Sequence, residues 1–281
     1  MDLALKLARA HTGRQGIVSV AGGYHGHTGL AMATGDPAYR DPFGPNPPGF
    51  SQVPFGDLDA MAAAITGETA AVIVESIPAT LGMPLPPPGY LRGLGGLCHD
   101  AGALLVLDEI QTGLGRTGTV WSYQQDDAEP DLVVTGKGLS GGIVPISATL
   151  MTPEVHAFFD THPFTHISTF SGAELACAAA LAVLDQIEAL GFLDRVETLG
   201  QRIEAGLAGL PCEVRRRGLF LGLQFPDPGG GMTATQRVIS AGVFAIFANN
   251  DPSVLQLLPP LTISDDEVDW LVATLRQALA P

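Results

Sequence analysis

The run Ala101-Gly-Ala-Leu-Leu-Val-Leu107 passes without a break into Asp108-Glu109-Ile110-Gln111, and no other feature of the chain limits its possible folds so sharply. A short apolar run with no alternation of polar and apolar positions is the pattern of a strand covered on both faces, as in a parallel sheet. Acids at its carboxyl end fall where open α/β sheets place their ligands. Similar strand-like runs near 16 to 20, 70 to 75 and 131 to 135 alternate with helix-like runs from Leu58 to Ile65 and Tyr90 to His99. The expected class is therefore α/β, a mainly parallel sheet with crossover helices. An Ala-rich amphipathic stretch follows from Gly172 to Leu190, with Gly191 as its stop. Beyond it, Gly218 to Phe225, Val254 to Leu258 and a final helix from Asp265 to Leu279 read as a smaller α+β unit. The expected division is a large domain over residues 1–185 and a small C-terminal domain over 186–281.

Lys137 is one of only two lysines, and it ends a β-branched run in Asp131-Leu-Val-Val-Thr-Gly-Lys137-Gly-Leu-Ser-Gly-Gly142. An ammonium taken out of water is costly unless it is paired or neutralised. A lysine whose pKa shifts there becomes a nucleophilic amine, able to form a Schiff base with a carbonyl such as that of pyridoxal phosphate. The segment by itself is equally well read as a loop-tip lysine with its head in water. Asp108, 29 residues earlier (137 − 108), suits the acid that keeps a pyridine nitrogen protonated so that the ring can act as an electron sink. Its plainer reading is an acid at the start of a helix. The two segments together favour the cofactor reading of both.

Leu104-Leu-Val-Leu-Asp-Glu-Ile-Gln-Thr-Gly-Leu-Gly-Arg-Thr-Gly118 followed by Pro130-Asp-Leu-Val-Val-Thr-Gly-Lys137 closely resembles the signature of class III aminotransferases of the ornithine and acetylornithine type. The likeness continues through Gly22-Gly-Tyr-His-Gly-His-Thr28, Val72-Ile-Val-Glu75, His166-Ile-Ser-Thr-Phe-Ser-Gly172 and Leu257-Leu-Pro-Pro-Leu-Thr-Ile263. The resemblance implies a fold-type I enzyme dependent on pyridoxal 5'-phosphate, with a PLP-binding large domain and a smaller C-terminal one. It implies that Lys137 forms the internal aldimine and shuttles the proton, and that Asp108 pairs with the ring nitrogen. Gln111 would lie near the phenolic oxygen, Ile110 on one ring face and Tyr24 on the other, with His25 also at the cofactor. Thr169 would bind the phosphate across a homodimer interface, serving the neighbouring site. Glu75 and Gln256 match the substrate-side positions.

Two departures from the family bear on activity. Its phosphate cradle is a Gly-Ser/Thr-Glu-Ala turn at a helix start, and this chain opens at Met1-Asp-Leu-Ala-Leu-Lys-Leu-Ala-Arg-Ala10, which resembles the helix after that turn. The chain is thus expected to lack the N-terminal segment. At Gln256 acetylornithine-type enzymes typically carry an arginine, whose bidentate grip on a carboxylate glutamine cannot reproduce. Arg116 and Arg217 are candidate replacements, though a surface salt-bridge role is the simpler expectation for both. The implied reaction is transfer of an amino group from an amino acid or amine donor to an oxo-acid or aldehyde acceptor. A racemase or aminomutase of the same fold, or an inactive truncated homologue, are the alternatives.

Other patterns carry less. Gly113-Leu-Gly115-Arg-Thr-Gly118 spells a dinucleotide motif, yet no amphipathic helix is expected after it. His25 and His27 lie in a glycine turn without clustered partners and read as loop histidines rather than zinc ligands. Cys98-His99-Asp100 spells a nucleophile, base and acid, but adjacent residues rarely converge. Twenty-nine acidic against 14 basic residues, a formal charge of −15, argue against nucleic-acid partners, and Arg215-Arg-Arg217 reads as a solvated edge. Three scattered cysteines make no disulfide framework, and no apolar run reaches the roughly 18 residues of a membrane span. A cytoplasmic enzyme without a membrane partner is expected.

Overall fold

The computed structural model describes residues 1–280. They form two compact units, the first comprising Met1–Ser76, Pro86–Gln111 and Tyr123–Asp185, the second Ile77–Leu85, Thr112–Ser122 and the chain from Gln186 onward.

The first unit is built on six strands: β1 (Gly16–Val20), β2 (Phe50–Val53), β3 (Thr69–Glu75), β4 (Leu104–Asp108), β5 (Leu132–Thr135) and β6 (Ala148–Met151), in the spatial order β2-β1-β3-β4-β5-β6. All neighbours are parallel except β6, which returns antiparallel to β5. Every residue of β3, β4 and β5 is buried, which is why these strands read as unbroken apolar runs. One face is covered by the helix Asp2–Thr12, whose Ala4, Leu5, Leu7 and Ala8 pack with Ile17, Ile73, Val106 and Val134. The helix Tyr90–Ala101 turns Leu91, Leu94 and Cys98 inward and ends at Gly102, whose φ of +65° glycine tolerates best. The mainly parallel α/β sheet anticipated from the sequence is present.

In the second unit β7 (Glu213–Arg217), β8 (Phe220–Gln224), β9 (Ile246–Ala248) and β10 (Asp251–Leu257) form an antiparallel sheet in the order β7-β8-β10-β9. The helices Phe192–Gly206, Gly230–Ser240 and Asp265–Leu279 supply Val196, Leu199, Ile203, Val238, Leu271 and Leu275 to its core, with Leu221 and Leu255 from the sheet. The segments Ile77–Leu85 and Thr112–Ser122 group with this unit although both precede it in sequence. Gly218 shows how tightly one is docked: a Cβ there would lie 2.5 Å from the Thr117 carbonyl carbon.

The arginine cluster forms an edge, as anticipated, though a half-buried one. It lies in strand β7, and Arg216 is held by Glu197 at 2.9 Å and Glu204 at 2.8 Å. Arg116 is no surface salt bridge. It donates to the carbonyls of Leu219 at 3.2 Å and Pro259 at 2.5 Å, and burial pushes its pKa down to about 10. Among the described residues no single helix is long and apolar enough to cross a membrane, and no group of three or more His, Cys, Asp and Glu side chains is arranged to hold a metal ion.

Candidate active site

The register of the parallel sheet builds the site. Glu75 and Asp108 are the last paired residues of β3 and β4 and lie opposite each other, so two carboxylates from different motifs meet at the carboxyl edge, where such sheets bind ligands. Both are buried, and the loop after β1 covers them. Tyr24 N donates to Glu75 Oε1 at 2.8 Å, and His25 Nδ1 lies 2.8 Å from Asp108 Oδ2. Asp108 Oδ1 accepts from Ile110 N at 3.0 Å, a local turn of the kind aspartate favours. No helix starts here, so the helix-acid reading of Asp108 is set aside; the next helical segment is the short Ser122–Asp126 turn.

His25 occupies a loop as expected, yet it is buried rather than solvated. With Nδ1 facing a carboxylate, that nitrogen carries the proton and donates. Its Nε2 is buried without a partner, a cost the fold accepts to keep the ring against Asp108.

Lys137 follows β5 by two residues, in the short turn Lys137–Ser140. β5 ends at Thr135 and Lys137 is exposed, which is the loop-tip placement its segment allowed. It does not trail freely into solvent, because Nζ donates to Gln111 Oε1 at 2.7 Å. Its φ of +44° is uncommon for a residue with a side chain. Partial desolvation lowers the Lys137 pKa, while the charges of Asp108 and Glu75 pull it back up. The result is an accessible amine that gives up its proton more readily than a free lysine, next to two fixed negative charges.

The predicted residues thus divide by location. Lys137, Gln111, Asp108, His25, Glu75 and Tyr24 belong to one connected group. Ile110 joins it through the Asp108 turn and lies 3.9 Å from the place a Cβ on Gly136 would take. Tyr24 is 41% exposed, its ring set edge-on to His27 with centroids 4.9 Å apart, so one aromatic face is available for stacking. Thr169 lies in an exposed stretch that also carries Phe164, Ile167 and Phe170. Gln256 is buried in β10 of the second unit, paired with Gly222 and Ile246.

Sequence reasoning passed over Ser76 and Glu109. Both are fully buried and bonded to each other at 2.5 Å; the available signal was that each directly follows a site carboxylate. The triplet set aside earlier is inert: burial pushes the Cys98 thiol up to about 12, and His99 faces Asp131 at 3.2 Å.

The donor set fits pyridoxal phosphate. An accessible amine suits its aldehyde, and a buried carboxylate suits a protonated ring nitrogen, since each Asp108 oxygen keeps acceptor capacity beyond its present bond.

The family model Aminotransferase class-III matches residues 1–279. An uncharacterized aminotransferase of Archaeoglobus fulgidus is 46% identical over 285 residues, covering 99% of this chain and 67% of its own length. The ornithine aminotransferase of Toxoplasma gondii superposes with a TM-score of 0.91 at 31% identity, over 99% of this chain and 69% of that one. The N-acetylornithine aminotransferase of Stenotrophomonas maltophilia gives 0.82 at 30% identity, over 99% and 71%. With the signature residues gathered at one sheet edge and a match along almost its whole length, the chain belongs to the class III aminotransferases, enzymes that depend on pyridoxal phosphate.

Proposed function

We propose that this chain transfers an amino group from an amino acid or amine donor to an oxo-acid or aldehyde acceptor, with Lys137 as the residue that carries the cofactor. The observation that supports this most directly is an accessible amine of lowered pKa beside two register-paired carboxylates. When bound, pyridoxal phosphate supplies an electron sink for the bonding pair released at the substrate carbon. Lys137 Nζ is the group that would move the proton to and from that carbon. Asp108 would hold the proton on the ring nitrogen, with His25 keeping Asp108 in place. Tyr24 and Ile110 would flank the ring, Gln111 would lie near its phenolic oxygen, and Glu75 would face the substrate.

A homodimer is part of the same proposal. Phe164, Ile167 and Phe170 are 81%, 70% and 83% exposed around Thr169, and large apolar groups clustered at a surface mark an interface. A second copy would cover them and bring Thr169 to its cofactor phosphate.

The decisive experiment adds pyridoxal phosphate to the purified chain, reduces with borohydride and maps the modified lysine by mass spectrometry. A yellow species fixed on Lys137, bleached by an amino donor before reduction, is the expected result. Modification of Lys6 alone, or full donor turnover by Lys137→Ala, would sink the assignment.

A further inference from the structure

The backbone ladder between β3 and β4 stops at the pair Glu75 and Asp108. One residue further, just past the two strand ends, come Ser76 and Glu109. Both are fully buried there. Ser76 Oγ donates to Glu109 Oε1 at 2.5 Å, and the same oxygen accepts from Tyr123 N at 3.0 Å. Glu109 N donates to Val134 O at 2.9 Å, on the strand that leads to Lys137. Glu109 therefore joins the ends of β3, β4 and β5: Glu75 precedes its partner Ser76, Lys137 lies three residues past its partner Val134, and Asp108 is its own neighbour in the chain.

We propose that Ser76 and Glu109 are positioning residues: their side-chain bond acts as one more rung past the end of the β3–β4 ladder and fixes how Glu75 and Asp108 are set relative to Lys137. A buried carboxylate costs free energy unless its bonds are satisfied, so loss of the Ser76 hydroxyl should make Glu109 seek another partner and drag Asp108, its neighbour in the chain. The charged and polar groups facing Lys137 are Asp108 from β4, Glu75 from β3 and Gln111 from the following turn, with His25 acting through Asp108. Displaced carboxylates would support the Lys137 ammonium less. The importance of this for catalysis rests on Lys137 being the cofactor-bearing residue, but its measurement does not.

The test uses the full chain without cofactor. Trinitrobenzenesulfonate labelling is followed against pH by mass spectrometry, with Lys6 as the internal control. In Ser76→Ala the labelling midpoint of Lys137 should fall by about half a pH unit or more, that of Lys6 staying fixed. Ser76→Thr, which keeps the hydroxyl, should restore the wild-type midpoint. Glu109→Gln, which keeps an acceptor oxygen for Ser76 and Tyr123, should also titrate as wild type. An unchanged midpoint in folded Ser76→Ala, or a fall in Ser76→Thr or Glu109→Gln, would overturn the proposal. If Ser76→Ala does not fold, the other two variants still decide. A wild-type chain that labels as expected but captures no pyridoxal phosphate would count against the functional reading and leave this one standing.

Discussion

At the scale of single residues the proposed chemistry turns on Lys137 and Asp108. Because the folded pKa of Lys137 is lowered, its neutral amine is populated at pH values where an ordinary lysine, titrating near ~10.4, is still an ammonium. Capture of pyridoxal phosphate by Lys137 should therefore rise with pH along a curve displaced to the acid side of a free lysine, and the advantage should vanish above both pKa values. The sign for stability follows: the unfolded chain binds more protons in that window, so this group makes the fold more stable as pH rises through it. Stopped-flow absorbance across pH checks the first expectation; a curve at or above that of free lysine would contradict it. Asp108→Asn should keep the cofactor bound yet slow the half-reaction with an amino donor by about 10²- to 10³-fold, because a fixed charge matched to the ring nitrogen is lost. Single-turnover kinetics reads this directly, and a loss under tenfold would remove Asp108 from its role.

At the scale of elements the structure reveals both what the sequence carried and what it hid. The final helix runs from Asp265 to Leu279, the bounds expected from it, because Ser264 closes a capping box with Glu267 and acids fill the first turn. Ser264→Ala should cost about 1 kcal/mol in urea unfolding, and an unchanged midpoint would show that the cap is dispensable. Strands β3, β4 and β5 were legible because full burial writes itself as continuous apolar sequence. Strands β2, β6 and β9 were not: they are short and only partly buried, so their pairing comes from neighbours that the local sequence does not encode. The site divides in the same way. Lys137, Asp108 and Gln111 stand in readable motifs, whereas the His25–Asp108 contact spans 83 residues and follows only from the register that closes the loop over β4. The exposure of Lys137 was one of the two readings its segment allowed, and the turn that begins at Gly136, directly after β5, is what carries the lysine out.

At the scale of the whole molecule, the exposed aromatic stretch and the net charge act in opposite directions. A formal charge of −15 keeps chains apart in solution, while Phe164 and Phe170 favour pairing. Phe170→Asp should shift the proposed dimer to monomer in sedimentation velocity and weaken pyridoxal phosphate binding with it; a dimer of unchanged strength would place the interface elsewhere. The scarcity of lysine has a practical side. Lys6 is already engaged with His166 Nδ1 at 3.3 Å and the Thr165 carbonyl at 3.4 Å, and the only other side-chain amine is the one at the active site. Aldehyde-activated or succinimidyl resins couple to amines, so beyond the α-amino group and Lys6 they would draw on the lysine proposed to carry the cofactor. Carboxylate-directed coupling, with 29 acidic residues of which only Glu75, Asp108 and Glu109 are buried, is the attachment chemistry its surface invites.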